Sequence, residues 1–446
     1  MPQTLAAGRE RPARKDLIKA FIASLSGTAL EWYDFAAYSV ASALVFGHLF
    51  FPSYDPLTGT LLAFSTYAVG YVSRPVGGFV FGRLGDKLGR KHVLVTTLML
   101  TGIATVLIGL LPTHGQVGAL GGVLLVVLRF AQGVGIGGEW GGAVLLSSEF
   151  GSERRRGFWA SAAQVGPPAG NLLANGVLAA LAALLTREQF LSWGWRVAFL
   201  FSAVLVVFGL WIRVKLEETP VFRELQRKGE QAAAPLREVF TNEPRALVAG
   251  ILSRVGPDIL YALFTVFVLT YATKQLGMPE SLAVTGVMAG SAAQLVLIPA
   301  AGALSDRWGR RRVYAVGAIG AGVWPFVFFP MAGTGSAGLM VLGVTVGLFW
   351  HSLMYGPQAA FISEQFSTAH RYTGCSLAYT LAGVIGGALA PLLSTYLFAT
   401  FGTWVAPACY VAVACAVTLV GLAMGKADAQ QPSMARRDAR HPGPTR

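Results

Sequence analysis

The segment GRLGDKLGRK at residues 82–91 recurs as GALSDRWGRR at residues 302–311, 220 positions later in a chain of 446 residues. Five positions are identical in the two copies: a glycine, a leucine, an aspartate, a second glycine and an arginine. Each copy lies between two long apolar runs. A chain that repeats itself near half its length, within an apolar background, is typical of membrane proteins built from two homologous halves.

The composition also indicates a membrane protein. Hydrophobic residues make up 54% of the chain and charged residues 13%, with a mean hydropathy of +0.56. Soluble domains carry about 25% charged residues. Apolar stretches of about 20 residues, enough to cross a bilayer as a helix, recur along the chain. We predict an all-α membrane protein of twelve transmembrane helices in two pseudo-symmetric six-helix bundles, with spans near residues 20–47, 57–82, 93–111, 118–148, 156–185, 194–212, 246–272, 281–304, 313–332, 336–363, 372–399 and 403–425.

The basic residues orient these spans. Of the 35 Lys and Arg residues, 29 fall in or at the edge of segments on the side of the termini, three fall in or at the edge of segments on the opposite side, and three fall deep inside spans. Because basic residues concentrate in cytoplasmic loops, we expect both termini to be cytoplasmic. The net charge of +13 then reflects the concentration of basic residues in cytoplasmic segments. We therefore expect the chain to contact the lipid bilayer and to have no nucleic-acid partner.

The predicted domain order follows from the spans. A cytoplasmic N-terminal segment at residues 1–19 precedes a six-helix bundle at 20–213. A charged linker with some amphipathic helix occupies 214–245, a second six-helix bundle occupies 246–425, and a disordered cytoplasmic tail rich in Pro and Arg occupies 426–446.

The duplicated signature predicts a gate at the cytoplasmic face. Asp86 and Asp306 follow the ends of two spans, and Gly89 and Gly309 supply tight turns. A carboxylate there can bond a nearby arginine or a helix N-terminus across the gap between the halves, and only while the cytoplasmic side is closed. The alternative is that these charges only fix topology. The candidate gating residues are Arg74, Asp86, Arg90, Glu149, Asp306, Arg310 and Glu364.

Acidic residues inside the spans are candidate proton carriers, since charged groups in the bilayer are costly and usually functional. Glu31 lies 12 residues past Lys19, about 18 Å along the helix and near mid-membrane. Asp34 shares its helix face, so the two carboxylates cannot easily both be ionised. Glu139 in the fourth span is either a further proton site or the partner of a basic group such as Arg74. The alternative for Glu31 and Asp34 is a structural pairing with an arginine of a neighbouring helix.

Buried arginines and polar residues are candidates for substrate binding. Arg129 lies near mid-membrane and stays charged, so it needs an acid or an anionic substrate. Arg254 and Asp258 are four residues apart and can pair, and Gly256-Pro257 between them predicts a kink or break in the helix. A purely structural salt bridge is nearly as good an explanation. The remaining candidates, which could instead pack or hold helices together, are Tyr38, Gln164, His351, Tyr355 and Gln358.

Other chemistry finds little support in the sequence. The glycine-rich stretch at residues 133–138 lies within a span and has no P-loop lysine. The sequence contains no metal-spaced set of His and Cys residues and no nucleophile elbow, and its three cysteines fall in apolar segments. We therefore expect no enzyme activity, no cofactor and no metal, with a proton gradient as the driving force.

Four motifs resemble those of a known family. The duplicated segment is similar to the signature of the major facilitator superfamily. The segments GTALEWYDF at residues 27–35, SRPVGG at 73–78 and RFAQGVGIGGEWGG at 129–142 resemble its metabolite:proton symporter subfamily. The resemblance implies alternating access around a central site, and proton-coupled uptake across a bacterial inner membrane. Known substrates of that subfamily include shikimate, 2-oxoglutarate, citrate, proline and betaine.

The sequence thus predicts a secondary active transporter, in which a small organic acid or related polar metabolite enters together with a proton. We expect a monomer whose partners are that substrate, the proton and the bilayer. The alternative is a proton-coupled antiporter that exports a drug or metabolite. A receptor or scaffold would call for large soluble domains, which the sequence does not contain.

Overall fold

The computed structural model describes residues 14–229 and 235–426. Helices form nearly all of this part of the chain, and it contains no strand. Ten of its helices are long and apolar enough to cross a membrane: Arg90–Leu110, Leu120–Phe150, Arg156–Leu184, Arg187–Val214, Pro244–Lys274, Ser281–Trp308, Arg310–Ala332, Ala337–Gln365, Thr368–Phe401 and Val405–Met424. They correspond to the third to twelfth predicted spans.

The first two predicted spans are also helical, although each is interrupted. The first helix runs over Arg14–Ala41 and continues through a π-helical turn at Ser42–Phe46 into Gly47–Phe50. The second is formed by Pro56–Val72 and Arg74–Leu88. The predicted twelve-helix, all-α fold is therefore confirmed. The tail predicted after Lys426 and the first 13 residues lie outside the described residues.

The first helix of each half contains the same irregular turn. The seventh helix, like the first, contains a π-helical turn, at Leu263–Phe267, 221 positions after that of the first helix. Between the halves, the second helix packs on the eleventh and the fifth packs on the eighth. Two short helices, Pro220–Lys228 and Pro235–Asn242, lie in the predicted linker.

The signature forms the turn that its glycines predict. Gly89 and Gly309 separate two helices in each half, with φ of +110° and +94°, a region that side-chain-bearing residues rarely adopt. Both turns lie on the same face of the helix bundle as the linker. We call this face the signature side and the other the opposite side.

Glycines bring the second and fourth helices into backbone contact. A Cβ atom on Gly77 would lie 1.9 Å from the carbonyl oxygen of Val134, and one on Gly137 would lie 1.9 Å from the carbonyl oxygen of Arg74. Only glycine allows this approach, which fixes the backbone of Arg74 against the fourth helix.

Of the kink or break predicted at Gly256-Pro257, the break is absent from the seventh helix. The helix is continuous over Pro244–Ala262 and passes through Pro257. The irregular turn begins instead at Leu263. A hydrogen bond from the Gly256 amide to the Thr418 hydroxyl, at 2.9 Å, ties this stretch to the twelfth helix.

Candidate functional site

Asp86 joins the two halves at the signature side. Its carboxylate accepts hydrogen bonds from the Tyr372 amide at 3.2 Å, the Thr373 amide at 2.9 Å and the Thr373 hydroxyl at 2.8 Å. Tyr372 and Thr373 lie in the first turn of Arg371–Ala382, so the carboxylate meets a helix N-terminus. Arg90 lies 3.7 Å from both Asp86 and Glu149.

Asp306 makes the equivalent contacts in the opposite direction. It accepts hydrogen bonds from the amides of Gly157 and Phe158 at 2.9 and 3.0 Å, at the start of the fifth helix. Arg310 lies 2.7 Å from Asp306 and 3.5 Å from Glu364. The contact to a helix N-terminus that the sequence predicts is thus present in both halves. The signature side is closed in this conformation.

The linker adds residues to this junction that the sequence did not reveal. Glu218 accepts hydrogen bonds from the amides of Arg90 and Lys91, each at 3.1 Å. The hydroxyl of Thr219 donates to Glu149 at 2.6 Å. The sequence placed both residues in the charged linker. Only the structure shows which linker residues lie against the third helix.

A cavity of about 120 Å³ lies between the halves near the middle of the helices. It reaches toward the opposite side, where Val266 and Pro391 contribute to its wall. It is lined by Trp32, Tyr71, Arg74, Pro167, Arg254, Asp258, Tyr261, Ala262, Thr265, Val266, His351, Tyr355, Gly383, Gly387, Ala388 and Pro391. Mostly apolar walls with a few converging polar groups are typical of small-molecule sites.

Arg74 belongs to this cavity, which corrects its assignment to the gate. Its guanidinium lies 3.1 Å from the carboxylate of Glu31. It lies against the rings of Phe35 and Tyr71, each with its centroid 4.4 Å away, and the two centroids are 5.0 Å apart on the same side of it. The residue lies 14 positions before the close of the second helix at Leu88, too far from the signature side to act there.

Arg254 supplies the second cation of the cavity. Its Nε donates to Asp258 at 2.8 Å, which is the pair that the spacing predicts. Its guanidinium also lies over the ring of Tyr379, 3.4 Å from the centroid. The Nη1 atom of Arg254 has no hydrogen-bond partner among the described residues.

Uncharged polar groups complete the wall. The Tyr261 hydroxyl contacts the Asn171 amide of the other half. Gln294 donates to Nδ1 of His351 at 2.8 Å, which leaves the imidazole proton on Nε2 if the ring is neutral. The His351 and Tyr355 rings lie 4.7 Å apart, and both residues line the cavity.

Gln164 and Gln358 lie beneath the cavity and do not line it, contrary to their assignment as substrate ligands. Their amide groups bond to each other across the halves at 2.9 Å. Trp140 donates to Gln164 at 2.8 Å, and Gln358 donates to the Tyr314 hydroxyl at 2.8 Å. This layer separates the cavity from the signature side.

Asp34 lies inside the first bundle and away from the cavity. It accepts hydrogen bonds from Thr105 at 2.6 Å and Ser202 at 2.7 Å, with Gln132 at 3.4 Å. Gln132 in turn accepts a hydrogen bond from Arg129.

The side chain of Arg129 is enclosed by aromatic rings of the first helix. It lies over the rings of Phe35 and Tyr38, at 4.3 and 4.0 Å. Arg129 and Tyr38 therefore do not line the cavity, although the sequence suggested that they bind substrate. The direction of each side chain around its helix was not predicted from the sequence.

Glu139 does not pair with Arg74. It lies 2.6 Å from Arg213 of the sixth helix, and Arg213 also donates to the carbonyl oxygen of Leu94 at 2.7 Å. Both side chains of this ion pair are buried within the first bundle. The sequence placed Arg213 at a span end and missed it as the partner.

Comparisons with known proteins agree with this architecture. The profile described as "Sugar (and other) transporter" matches residues 19–246, and the one described as "Major Facilitator Superfamily" matches residues 258–442. The chain belongs to the major facilitator superfamily. It is therefore a membrane transporter and not an enzyme.

Several relatives share most of their length with this chain. It is 40% identical to the inner membrane metabolite transport protein YhjE of Escherichia coli, over 91% of this chain and 93% of the relative. It is 39% identical to the shikimate transporter of E. coli, over 90% and 92% of the two chains. A proline/betaine transporter of Salmonella typhimurium is 32% identical, over 92% of this chain and 83% of its own. These relatives belong to the subfamily that the motifs indicate.

Solved structures support the fold. The proton:xylose symporter XylE superposes with a TM-score of 0.70 at 19% identity, covering 92% of this chain and 95% of the other.

Within the described residues, no cluster of three or more His, Cys, Asp or Glu side chains is arranged to hold a metal ion.

Proposed function

We propose that this transporter takes up a small organic acid together with a proton, by alternating access. The observation that carries the proposal is the cavity between the halves, into which two guanidinium groups converge, those of Arg74 and Arg254. Buried arginines recognise carboxylates through paired hydrogen bonds. The aromatic walls would hold the apolar part of such a molecule.

The relatives fit this substrate class. Shikimate, proline and betaine, after which several of them are named, differ in shape and in net charge but each carries one carboxylate. A shared carboxylate subsite, with walls that differ from one transporter to another, would account for such a range. The substrate of this chain would be the acid that its own aromatic walls accept.

Alternating access requires a closed and an open arrangement at each end of the site. We propose that residues 20–213 and 246–425 are the two moving bodies, and that the signature side faces the cytoplasm of a bacterial cell. The paired contacts of Asp86 and Asp306 would then hold the cytoplasmic side closed while the cavity takes substrate from outside. Rocking of the halves would have to break both sets of contacts together.

Coupling requires an acid that changes protonation as the substrate binds or leaves. Glu31 and Asp34 are the two candidates, because both are buried in the first helix and Glu31 contacts Arg74 of the cavity. Glu139 is the weaker candidate, since its pairing with Arg213 occupies it within the first bundle.

The proposal can be tested with purified protein in proteoliposomes that carry an inward-directed proton gradient. Uptake of labelled shikimate, pyruvate, proline and glycine betaine would be measured with and without an uncoupler, with empty liposomes as the control. We expect at least one of these carboxylate compounds to accumulate, and the uncoupler to abolish the accumulation. Accumulation that is indifferent to the uncoupler, or substrate that moves only against the proton flow, would exclude symport.

A further inference from the structure

We propose that an anionic phospholipid binds in a groove between the third and sixth helices at the opposite side. Its phosphate pairs with the guanidinium of Arg196, and its acyl chains lie along the lipid-facing surface of the two helices. The groove shares no lining residue with the cavity between the halves. The inference is therefore independent of the proposed function and of the substrate.

The groove lies where the third helix ends and the sixth begins. The third helix, Arg90–Leu110, starts at the signature turn, so its far end lies on the opposite side. The groove there is open to the surroundings and has a volume of about 620 Å³. It is lined by Gly109, Leu110, Leu111, Pro112, Gln116, Arg196 and Leu200. Among the described residues, this lining therefore contains one cation and no acid.

One terminal nitrogen of Arg196 holds the side chain in place. Nη1 donates to the carbonyl oxygens of Gly109 at 2.9 Å and Leu111 at 2.8 Å, which satisfies acceptors that the end of the third helix leaves open. The guanidinium also lies over the ring of Trp195, 4.5 Å from the centroid. The position of the cation is thus fixed before any ligand binds.

The other edge of the guanidinium is available to a ligand. An arginine carries five N–H groups in a planar fork, and the two carbonyl oxygens occupy those of Nη1. Nε and Nη2 of Arg196 make no hydrogen bond with the described residues, and neither atom is buried. This edge can bind a phosphate through two parallel hydrogen bonds. Capping of the third helix explains Nη1 and leaves the Nε–Nη2 edge without a role.

The level of Arg196 in the membrane points to a lipid headgroup. Arg196 is the second residue of the sixth helix, Trp195–Val214. The nearby Trp193 is 47% exposed, as is typical of tryptophans at the membrane–water interface. A basic group at this level attracts lipid phosphates. Because the lining contains no acid to hold the ammonium of a zwitterionic lipid, the groove favours a headgroup with a net negative charge.

Apolar side chains continue from the groove toward the middle of the membrane. The exposed ones are Ile103, Leu107 and Leu110 on the third helix and Leu200, Val204 and Val207 on the sixth. Within each set the spacing is four and three residues, which places the members on one helix face over about 10 Å. Both sets begin at the groove, since Leu110 and Leu200 line it. Acyl chains of a lipid bound at Arg196 would cover these two faces.

Close packing of the two helices closes the floor beneath the acyl chains. A Cβ atom on Gly102 would lie 2.2 Å from a methyl group of Val206, and one on Gly109 would lie 2.9 Å from Cβ of Phe199. A bound lipid would therefore rest on the outside of the helix pair and would contact both helices at once. Such a ligand stabilises the packed state of the first bundle.

The test is a lipid titration on the full-length protein, purified in detergent and stripped of bound lipid. Melting temperature would be recorded against increasing phosphatidylglycerol, and against phosphatidylethanolamine with the same acyl chains. Inorganic phosphate, added alone, represents a free anion. A ligand that binds the folded state raises the melting temperature with its concentration. We expect phosphatidylglycerol to raise it strongly, phosphatidylethanolamine to raise it much less, and phosphate to leave it unchanged.

Two pairs of variants locate the site. Arg196→Gln removes the phosphate's partner, and Arg187→Gln, at an exposed position on the same side, is its control. Leu200→Trp fills the groove and keeps the arginine, and Val207→Trp adds the same bulk farther along the lipid-facing surface. We expect the apparent affinity for phosphatidylglycerol to fall at least about tenfold in Arg196→Gln and Leu200→Trp, and to be unchanged in the two controls.

The shift that lipid causes in each protein is the quantity compared, because Arg196→Gln also loses the bonds to the third helix and can lower the melting temperature by itself. Leu200→Trp keeps those bonds. A shift that is specific to phosphatidylglycerol and is lost in both variants supports the proposal. Three results would overturn it: no preference for phosphatidylglycerol in the wild type, a full shift retained in either variant, or an equal shift with phosphate alone.

Discussion

Asp86 and Thr373, 287 positions apart, are joined by two hydrogen bonds, from the Thr373 amide at 2.9 Å and from its hydroxyl at 2.8 Å. The contact couples the signature turn of the first half to the eleventh helix of the second. Asp306 makes the mirrored contact with the fifth helix at Gly157. The aspartate of each repeated segment therefore caps a helix of the other half. We call the contacts of Asp86 and Asp306 with these helices the two clasps.

Weakening a clasp should open the signature side. Asp86→Asn removes the charge from bonds that are worth about 1.5–3 kcal/mol each when one partner is ionised. A loss of about 1.4 kcal/mol shifts the conformational equilibrium roughly tenfold. Cys375 is fully buried two positions after Thr373 and can report this opening. In a Cys409→Ser/Cys415→Ser background, we expect Cys375 to react about ten times faster with a polar thiol reagent.

Two variants control this experiment. Asp306→Asn should have a similar effect, since its contacts are equivalent. Glu217→Gln, in an exposed linker ion pair with Arg223, should have none. Unchanged reactivity in both aspartate variants would show that the clasps do not hold this side closed.

The glycine contact between the second and fourth helices should tolerate no side chain. Gly137→Ala would place a Cβ atom 1.9 Å from the carbonyl oxygen of Arg74, and a backbone atom cannot move aside as a side-chain tip can. We expect a loss of about 1–3 kcal/mol or more, measured as a lower melting temperature. Gly176→Ala, where nothing lies within 4 Å, should leave the melting temperature unchanged or slightly raised. Equal behaviour of the two variants would contradict the packing described.

The Glu139–Arg213 pair should be structural. Glu139→Gln leaves a buried guanidinium without its acid, which costs about 3–5 kcal/mol. The double variant Glu139→Gln/Arg213→Met should recover much of this loss, because neither charge remains. Melting temperatures of the three proteins measure the coupling. If Glu139→Gln is as stable as the wild type and changes the pH dependence of binding, Glu139 carries a proton after all.

Arg254 should contribute through geometry as well as charge. Arg254→Lys keeps the positive charge but lacks the planar fork that bonds Asp258 while presenting Nη1 to the cavity. We expect the affinity for the transported acid to fall about tenfold, with folding preserved. Lys228→Arg, at an exposed position of the linker, is the control. Full affinity in Arg254→Lys would remove Arg254 from the substrate's contacts.

The sequence predicted those features that depend only on how far apart residues lie along a helix. The apolar stretches defined the spans, and the spacing of Arg254 and Asp258 predicted their pair. The capping role of Asp86 and Asp306 also followed from the sequence, because a carboxylate after a span end can reach a helix N-terminus.

The sequence did not predict which neighbour each side chain faces. Arg74 and Arg129 both lie within spans, yet one faces the cavity and the other is enclosed by Phe35 and Tyr38. The sequence suggested Arg74 as a partner of Glu139, but Glu139 pairs with Arg213. The direction of a side chain around its helix depends on how twelve helices pack together. Hydrophobic periodicity carries little of that information when both helix faces are apolar.

The most direct measurement of the central claim is proton movement driven by substrate alone. Proteoliposomes in weakly buffered medium, without a proton gradient, would receive a pulse of the acid that binds most tightly, while a pH electrode records the medium. We predict that the medium becomes more alkaline as the acid enters wild-type vesicles. Vesicles with Glu31→Gln should show no such change. Entry of the acid into wild-type vesicles without any alkalinisation would contradict proton-coupled uptake.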